Sequence, residues 1–333
     1  MTDPLPTDSA FGVRKDQSST SGQMDVHGVT HVGRKRPANE DQFLIADLKK
    51  SLSVYQTSLG LDHQTRLFGG SQGKLLLVAD GMGGHEAGER ASTIAVDSIA
   101  TYTLNTMRWF FRLDEVSDED FQEELKAALE HCQSIIGIEA DAIPQRRGMG
   151  TTLTMAYVIW PRMYVVHAGD SRCYLFRNSL LKRITRDHTM SQLFKEQSNA
   201  AVEGDMPDDL ESSRWSNTLW NVLGGDSDDL VPEVYRSNLQ LGDILLLCTD
   251  GLTKHLSDDR IKEHLSKDGP AEKICQGLVE AANSDGGSDN ITVVVARLCK
   301  HADEPSEAEA ATSVDTPVEQ MADTDPYITT AKS

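Results

Sequence analysis

The 333-residue chain predicts a mixed α and β fold whose sheets are buried on both faces and whose helices cover the outside. Three observations predict it. Short runs rich in Val, Ile, Leu and aromatic residues recur between positions 27 and 298, and most are apolar at successive residues, as strands covered on each side must be. Between them lie longer segments whose apolar residues return every three or four positions, the period of a helix with one buried face. No period of repetition appears, so the strands and helices belong to one continuous unit rather than an array.

In chain order, strands are predicted at 27–33, 43–46 and "KLLLVAD" (74–80). A helix starts near Glu86 and buries Ala91, Ile94, Ala95 and Ile99. The next follows Ser117, which has Asp120 three positions on in a capping-box arrangement. Its stripe of Phe121, Leu125, Ala128, Leu129, Cys132, Ile135 and Ile136 reads as core. Strands then follow in "TTLTMAYVI" (151–159), "MYVVHAG" (163–169), "CYLFRN" (173–178) and "DILLLCTD" (243–250). A helix in "PAEKICQGLVEAAN" (270–283) buries Ile274 and Leu278, and "NITVVVARL" (290–298) closes the set. Residues 48–73 and 195–218 are polar, rich in Gly or Asp and without a clear period, and read as surface excursions or a flap. The Ser-, Thr-, Asp- and Pro-rich segment 1–24 and the acidic segment 300–333 read as disordered tails around a domain at 25–299.

Composition excludes several functions. A formal net charge of -20 disfavours nucleic acid and anionic lipid, and no apolar run approaches the roughly 20 residues that span a bilayer. The five cysteines are scattered and show no CxxC spacing, which fits a reducing cytoplasm better than a disulfide framework or a zinc site. Two motif-like stretches fail on chemistry. "GGSQGKL" (69–75) lacks a phosphate-binding loop's first glycine, which is Phe68, and its hydroxyl residue, which is Leu75. In "HCQSIIGIE" the arginine that a cysteine-based phosphatase places six residues after Cys132 is Ile138, and no GxSxG elbow is present.

Five stretches instead share one pattern, an apolar strand running into acid with Gly, Ser or Asn. They carry Glu40 and Asp41, Asp80, Asp170, Asp250 and Asp289. Carboxylates gathered at strand ends repel one another unless a hard cation is bound among their oxygens, and without clustered His or Cys the candidates are magnesium or manganese. The glycines of "VADGMGGHEAGERAS" (78–92) would let the backbone turn tightly beside Asp80, so that the Gly81 carbonyl could join such a site.

The ordered set "RPANED", "VADGMGGHEAGERAS", "GMGTTLT", "VVHAGDSRCYLF", "ITRDHT", "LLLCTDGL" and "GGSDNITVVV" resembles the metal-dependent protein phosphatases of type 2C, especially the bacterial serine/threonine phosphatases. The resemblance covers residues 25–299. It implies an α+β fold arranged as a four-layer αββα sandwich, two antiparallel sheets flanked by helices, with two manganese or magnesium ions at one edge. It makes Asp80 the carboxylate bridging both ions, adds the Gly81 carbonyl to one, and assigns Glu40, Asp250 and Asp289 to the other. Asp41 would orient water on the metals, Arg36 would fork onto the substrate phosphate, and Asp170 matches a position that helps hold a third ion in bacterial members. Arg34 and Lys35 add positive potential beside Arg36.

The implied reaction is in-line attack of activated water on phosphoserine or phosphothreonine, without a covalent enzyme intermediate. The histidine that many eukaryotic members carry two residues after the bridging aspartate is Met82 here, which leaves water on the metals to protonate the leaving group; His85 reads equally as a packing or capping residue of the glycine turn. Phosphoproteins, and a Ser/Thr kinase whose work is reversed, are the implied partners of a cytoplasmic monomer. A pseudophosphatase that binds phosphoproteins without hydrolysis and a metal-dependent nuclease or phosphodiesterase are the competing readings. Intact Glu40, Asp80, Asp250 and Asp289 weigh against the first, and the acidic composition against the second.

Overall fold

A strand that is apolar on both faces needs a packed layer on each side, and the fold provides one in every case. The computed structural model describes residues 23–53, 55–56, 66–106, 117–200, 218–225 and 229–299. The predicted tails fall outside these residues, apart from Gln23 and Met24. In chain order the elements are β1 (Gln23–His31), β2 (Asp41–Ser53), β3 (Arg66–Met82), α1 (His85–Asn105), α2 (Asp118–Ala142), β4 (Gly150–Thr151), β5 (Leu153–Ile159), β6 (Arg162–Ala168), β7 (Arg172–Arg177), β8 (Leu180–Arg183), α3 (Met190–Ala200), β9 (Leu223–Gly224), β10 (Glu233–Asn238), β11 (Ile244–Cys248), α4 (Asp250–Thr253), α5 (Asp258–Leu265), α6 (Ala271–Ser284) and β12 (Ile291–Cys299).

One sheet has the order β1-β12-β11-β7-β8; the other runs β10-β6-β5-β3-β4-β9, with β2 paired to β3. The pairings are antiparallel. Side-chain alternation sorts the residues into three cores. On β3, Leu75, Leu77 and Ala79 face α1 and α2, meeting Ala91, Ile94, Phe121 and Leu125. Their neighbours Leu76 and Val78 share the cluster between the sheets with Leu245, Leu247, Val294 and Ala296. On the far side Leu246, Cys248, Val293 and Val295 pack with Ile261, Leu265, Ile274 and Leu278 of α5 and α6. The result is the α+β architecture of four layers, αββα, that the resemblance implies. No helix among the described residues is long and apolar enough to cross a membrane.

The helix predicted after Ser117 begins there, with the Ser117 side chain accepting from the Asp120 amide at 3.1 Å. Cys132 is buried on its apolar stripe and burial pushes its thiol up to about 12, which suits packing and not nucleophilic attack. The described part of the segment 48–73 corrects the sequence reading, while residues 54 and 57–65 lie outside the described residues. Residues 48–53 and 66–73 are the outer arms of the β2–β3 hairpin, paired from Leu48 opposite Gly73 to Ser53 opposite Arg66. Backbone hydrogen bonds hold such arms together whatever the side-chain pattern, and the register shift between Lys49 and Ser51 breaks the alternation that would reveal them. "GGSQGKL" is therefore strand. Residues 195–200 finish α3, while 201–217 lie outside the described residues.

Candidate metal centre

The acids meet where strands of both sheets end. Asp41 opens β2 directly opposite Asp80 on β3, so one antiparallel pair delivers two carboxylates and, one residue earlier, Glu40. Asp170 sits in the turn from β6 to β7, Asp250 begins α4 just beyond β11, and Asp289 lies two residues before β12.

Hydrogen bonds fix Glu40, Asp41 and Asp80. The Asp80 amide donates to Thr152 Oγ1 at 3.1 Å, and its carbonyl accepts from the Thr152 amide and Thr151 Oγ1, both at 2.9 Å. Asn290 ties the loop carrying Arg36 to the last strand: its Oδ1 accepts from the Glu40 amide, and its Nδ2 donates to the Val32 and Ala38 carbonyls, all at 2.9 Å. Asp41 is buried, and its Oδ2 accepts from Thr249 Oγ1 at 2.9 Å and Thr292 Oγ1 at 2.7 Å. These Thr and Asn residues were not singled out from sequence, where the available signal was a hydroxyl or amide embedded at the end of an apolar strand.

Gly81 is glycine for a reason other than a tight turn. It lies within β3, and a Cβ there would stand 2.1 Å from the Gly88 carbonyl oxygen and 2.8 Å from that of Glu40. The turn expected at this point is made by Gly83 and Gly84, at φ +114° and +93°. The His85 side chain lies outside the described residues.

The electrostatics show a surplus of negative charge. Burial raises the Asp80 carboxyl well above its ordinary range, and Asp41, Asp250, Asp170 and Asp289 raise it further. Burial pushes Asp41 up to about 7 against the pull of its two threonines, with Asp250 and Asp289 adding to the rise. Asp170 likewise rises to about 7, through burial first and then Asp250 and Asp187. Asp289 differs: burial would raise it, but Lys254 and Arg36 more than offset this and hold it low. Arg36 forks onto Asp289 through Nε at 2.8 Å and Nη2 at 3.0 Å, and Lys254 Nζ lies 2.5 Å from Asp250 and 2.7 Å from Asp289.

Among the described residues no three His, Cys, Asp or Glu groups already form a metal shell; Asp250 and Asp289 are turned to the two basic side chains instead. The donor set nevertheless fits a hard divalent cation. It consists of oxygen, it is over-charged, and Oδ1 of Asp41 and Oδ1 of Asp250 are buried without a hydrogen-bond partner. A cleft lined by Gln122, Lys126, Arg186, Glu233 and Tyr235 takes in none of these acids.

Comparison with known proteins identifies the family. The family model described as protein phosphatase 2C matches residues 59–313. The serine/threonine protein phosphatase PstP of Mycobacterium tuberculosis is 35% identical over 223 residues, covering 67% of this chain and 40% of the relative, so the chain spans less than half of that protein. The protein phosphatase PhpP of Streptococcus pneumoniae is 30% identical over 279 residues, 83% of this chain and 98% of the relative. In three dimensions, the catalytic domain of PstP in complex with two manganese ions superimposes with a TM-score of 0.60 at 30% identity, covering 83% of this chain and 98% of that one. An αββα sandwich with clustered carboxylates at the strand ends, matched by these relatives along most of its length, places the chain in the protein phosphatase 2C family.

Proposed function

We propose that the chain hydrolyses phosphoserine and phosphothreonine in proteins with the help of two manganese or magnesium ions held by the acid cluster. The observation that carries this reading is the gathering of Asp41, Asp80, Asp170 and Asp250 beside Asp289, close enough that neighbouring carboxylates raise the proton affinity of the first four, with an oxygen of Asp41 and one of Asp250 buried and unpaired. Asp80, central to the group, would bridge the ions, with the Gly81 carbonyl on one and Glu40, Asp250 and Asp289 on the other. Asp170 would serve a third. The bound ions would supply an activated water and neutralise charge developing on the phosphoryl oxygens.

The chain's own groups do the positioning. Arg36, nearly half exposed at the rim, offers the planar paired donors that match a phosphate. To present them it turns from Asp289 toward the substrate. Asp41, held through Oδ2 by Thr249 and Thr292, keeps Oδ1 as an acceptor that orients the attacking water. By the same reading the substrates are phosphoproteins, the opposing enzyme is a Ser/Thr kinase, and the protein acts in the cytoplasm as a monomer.

The test is phosphate release from a phosphothreonine peptide. Turnover should require manganese or magnesium, vanish in EDTA and survive thiol alkylation. Arg36→Ala should cut kcat/KM by roughly 10²–10³, the scale of losing one preorganised donor to the reacting group. Full turnover in a metal-free sample would overturn the reading. Peptide binding without turnover would make the chain a phosphoprotein-binding module, and cleavage of a nucleic acid in place of the peptide would make it a nuclease.

A further inference from the structure

Lys254 is a cation built into the acid cluster. It follows the one-turn helix α4, four residues after Asp250, and its backbone amide donates to the Asp250 carbonyl at 2.8 Å. That turn brings the side chain back over its own helix. The ammonium meets Asp250 Oδ2 at 2.5 Å and crosses to Asp289 Oδ2 at 2.7 Å, joining the start of α4 to the approach of β12.

Asp289 is saturated by these contacts. Besides Lys254 it receives both Arg36 donors, and its Oδ1 also accepts from the Asn290 amide at 3.0 Å. Asp250 is divided, with Oδ2 on the lysine and Oδ1 buried and unpaired. The two acids that the reading above assigns to one and the same divalent ion are thus those that Lys254 clamps together. A monovalent ammonium and a divalent ion cannot share the same two oxygens at these distances, because each needs lone pairs that the other takes and the two cations repel.

We propose that Lys254 is an intrinsic competitor for the metal centre: its ammonium neutralises Asp250 and Asp289, and a divalent ion enters by displacing it, so that the lysine sets the metal concentration at which the site fills. The proposal rests on the metal-centre reading and adds to it an exchange that the chain itself controls. Neutralising the pair also holds the metal-free fold together, since two carboxylates without the ammonium would repel across the junction of α4 and β12.

The experiment measures manganese binding to the full-length protein by titration calorimetry, without an activity readout. Lys254→Met keeps the chain's length and removes its charge; it should bind manganese at least tenfold more tightly than the wild type and melt at a lower temperature in EDTA. Lys254→Arg, which keeps the charge, should stay close to the wild type in affinity. A second measurement uses the unaltered protein: an amine-reactive reagent followed by peptide mass spectrometry should modify Lys254 several-fold faster in saturating manganese than in EDTA. Unchanged or weaker manganese binding in Lys254→Met, or equal labelling rates in a wild type shown to bind manganese, would overturn the proposal and leave the metal-centre reading standing. A wild type that binds no manganese would overturn both.

Discussion

At the scale of single residues, neighbouring positions in the acid cluster have separable duties. Asp80 carries charge, whereas Gly81 provides room for the backbones of Gly88 and Glu40. Asp80→Asn keeps the shape and the backbone bonds to Thr151 and Thr152, so the fold should survive while manganese-induced stabilisation and hydrolysis are lost. Gly81→Val drives a side chain into two carbonyl oxygens, which should cost stability at or above the upper end of the roughly 1–3 kcal/mol typical of overpacking. Thermal melts with and without manganese, run beside phosphopeptide assays, distinguish the two outcomes. Wild-type hydrolysis by Asp80→Asn would reduce that aspartate to a structural residue of β3. Both positions are conspicuous in the sequence. The physical reason for the glycine is not, because the oxygens that exclude a side chain come from Glu40, 41 positions earlier, and from the following helix.

Among secondary-structure elements, β6 contributes a buried group that ties the sheet to the segment leading into α3. His167 is fully buried; its Nδ1 lies 2.9 Å from Thr154 Oγ1 on β5 and its Nε2 donates to the Arg186 carbonyl at 2.8 Å. Burial, reinforced by the nearby His188, lowers its pKa to about 3. A histidine that stays neutral when folded but protonates near 6.5 when unfolded gives stability that is complete above 6.5 and is lost as pH falls toward 3. The loss should reach about 2 kcal/mol by pH 5, at about 1.4 kcal/mol per pH unit once below 6.5. His167→Gln should remove this acid-dependent part. Urea unfolding in EDTA at pH 7.5 and pH 5 should therefore show the wild type losing about 2 kcal/mol more than the variant over that interval. Equal losses would contradict the assignment. In the sequence His167 is one polar residue in "MYVVHAG", and nothing there shows that its partners lie on β5 and at Arg186.

For the whole molecule, the acid cluster exists because two sheets stack with their strand ends aligned. The acidic segment after Lys300 has few large apolar residues with which to join a core. Truncation after Lys300 should leave p-nitrophenyl phosphate turnover and the melting temperature close to those of the full chain. A large loss of either would show that the segment takes part in the fold or the site.

The sequence alone determined the apolar strands and the main helices, because burial on both faces and a period of 3.6 residues are written in the order of side chains. The doubly apolar "KLLLVAD" is legible as a strand between two layers, and the Ser117 cap as a helix start. The acids at strand ends were legible as a group, and their ordered motifs as a family. Tertiary structure alone decided what depends on partners distant in the chain. It paired the polar arms of the β2–β3 hairpin through backbone bonds that leave no side-chain period. It made the half-exposed "EVYRSN" the edge strand β10 against β6. It brought Thr249 and Thr292 to Asp41 across separations of 208 and 251 residues, and it set Lys254 between Asp250 and Asp289. Local patterning encodes which surface a residue buries; which groups meet at a site depends on the register and stacking of whole sheets, and that is settled only when the sandwich closes.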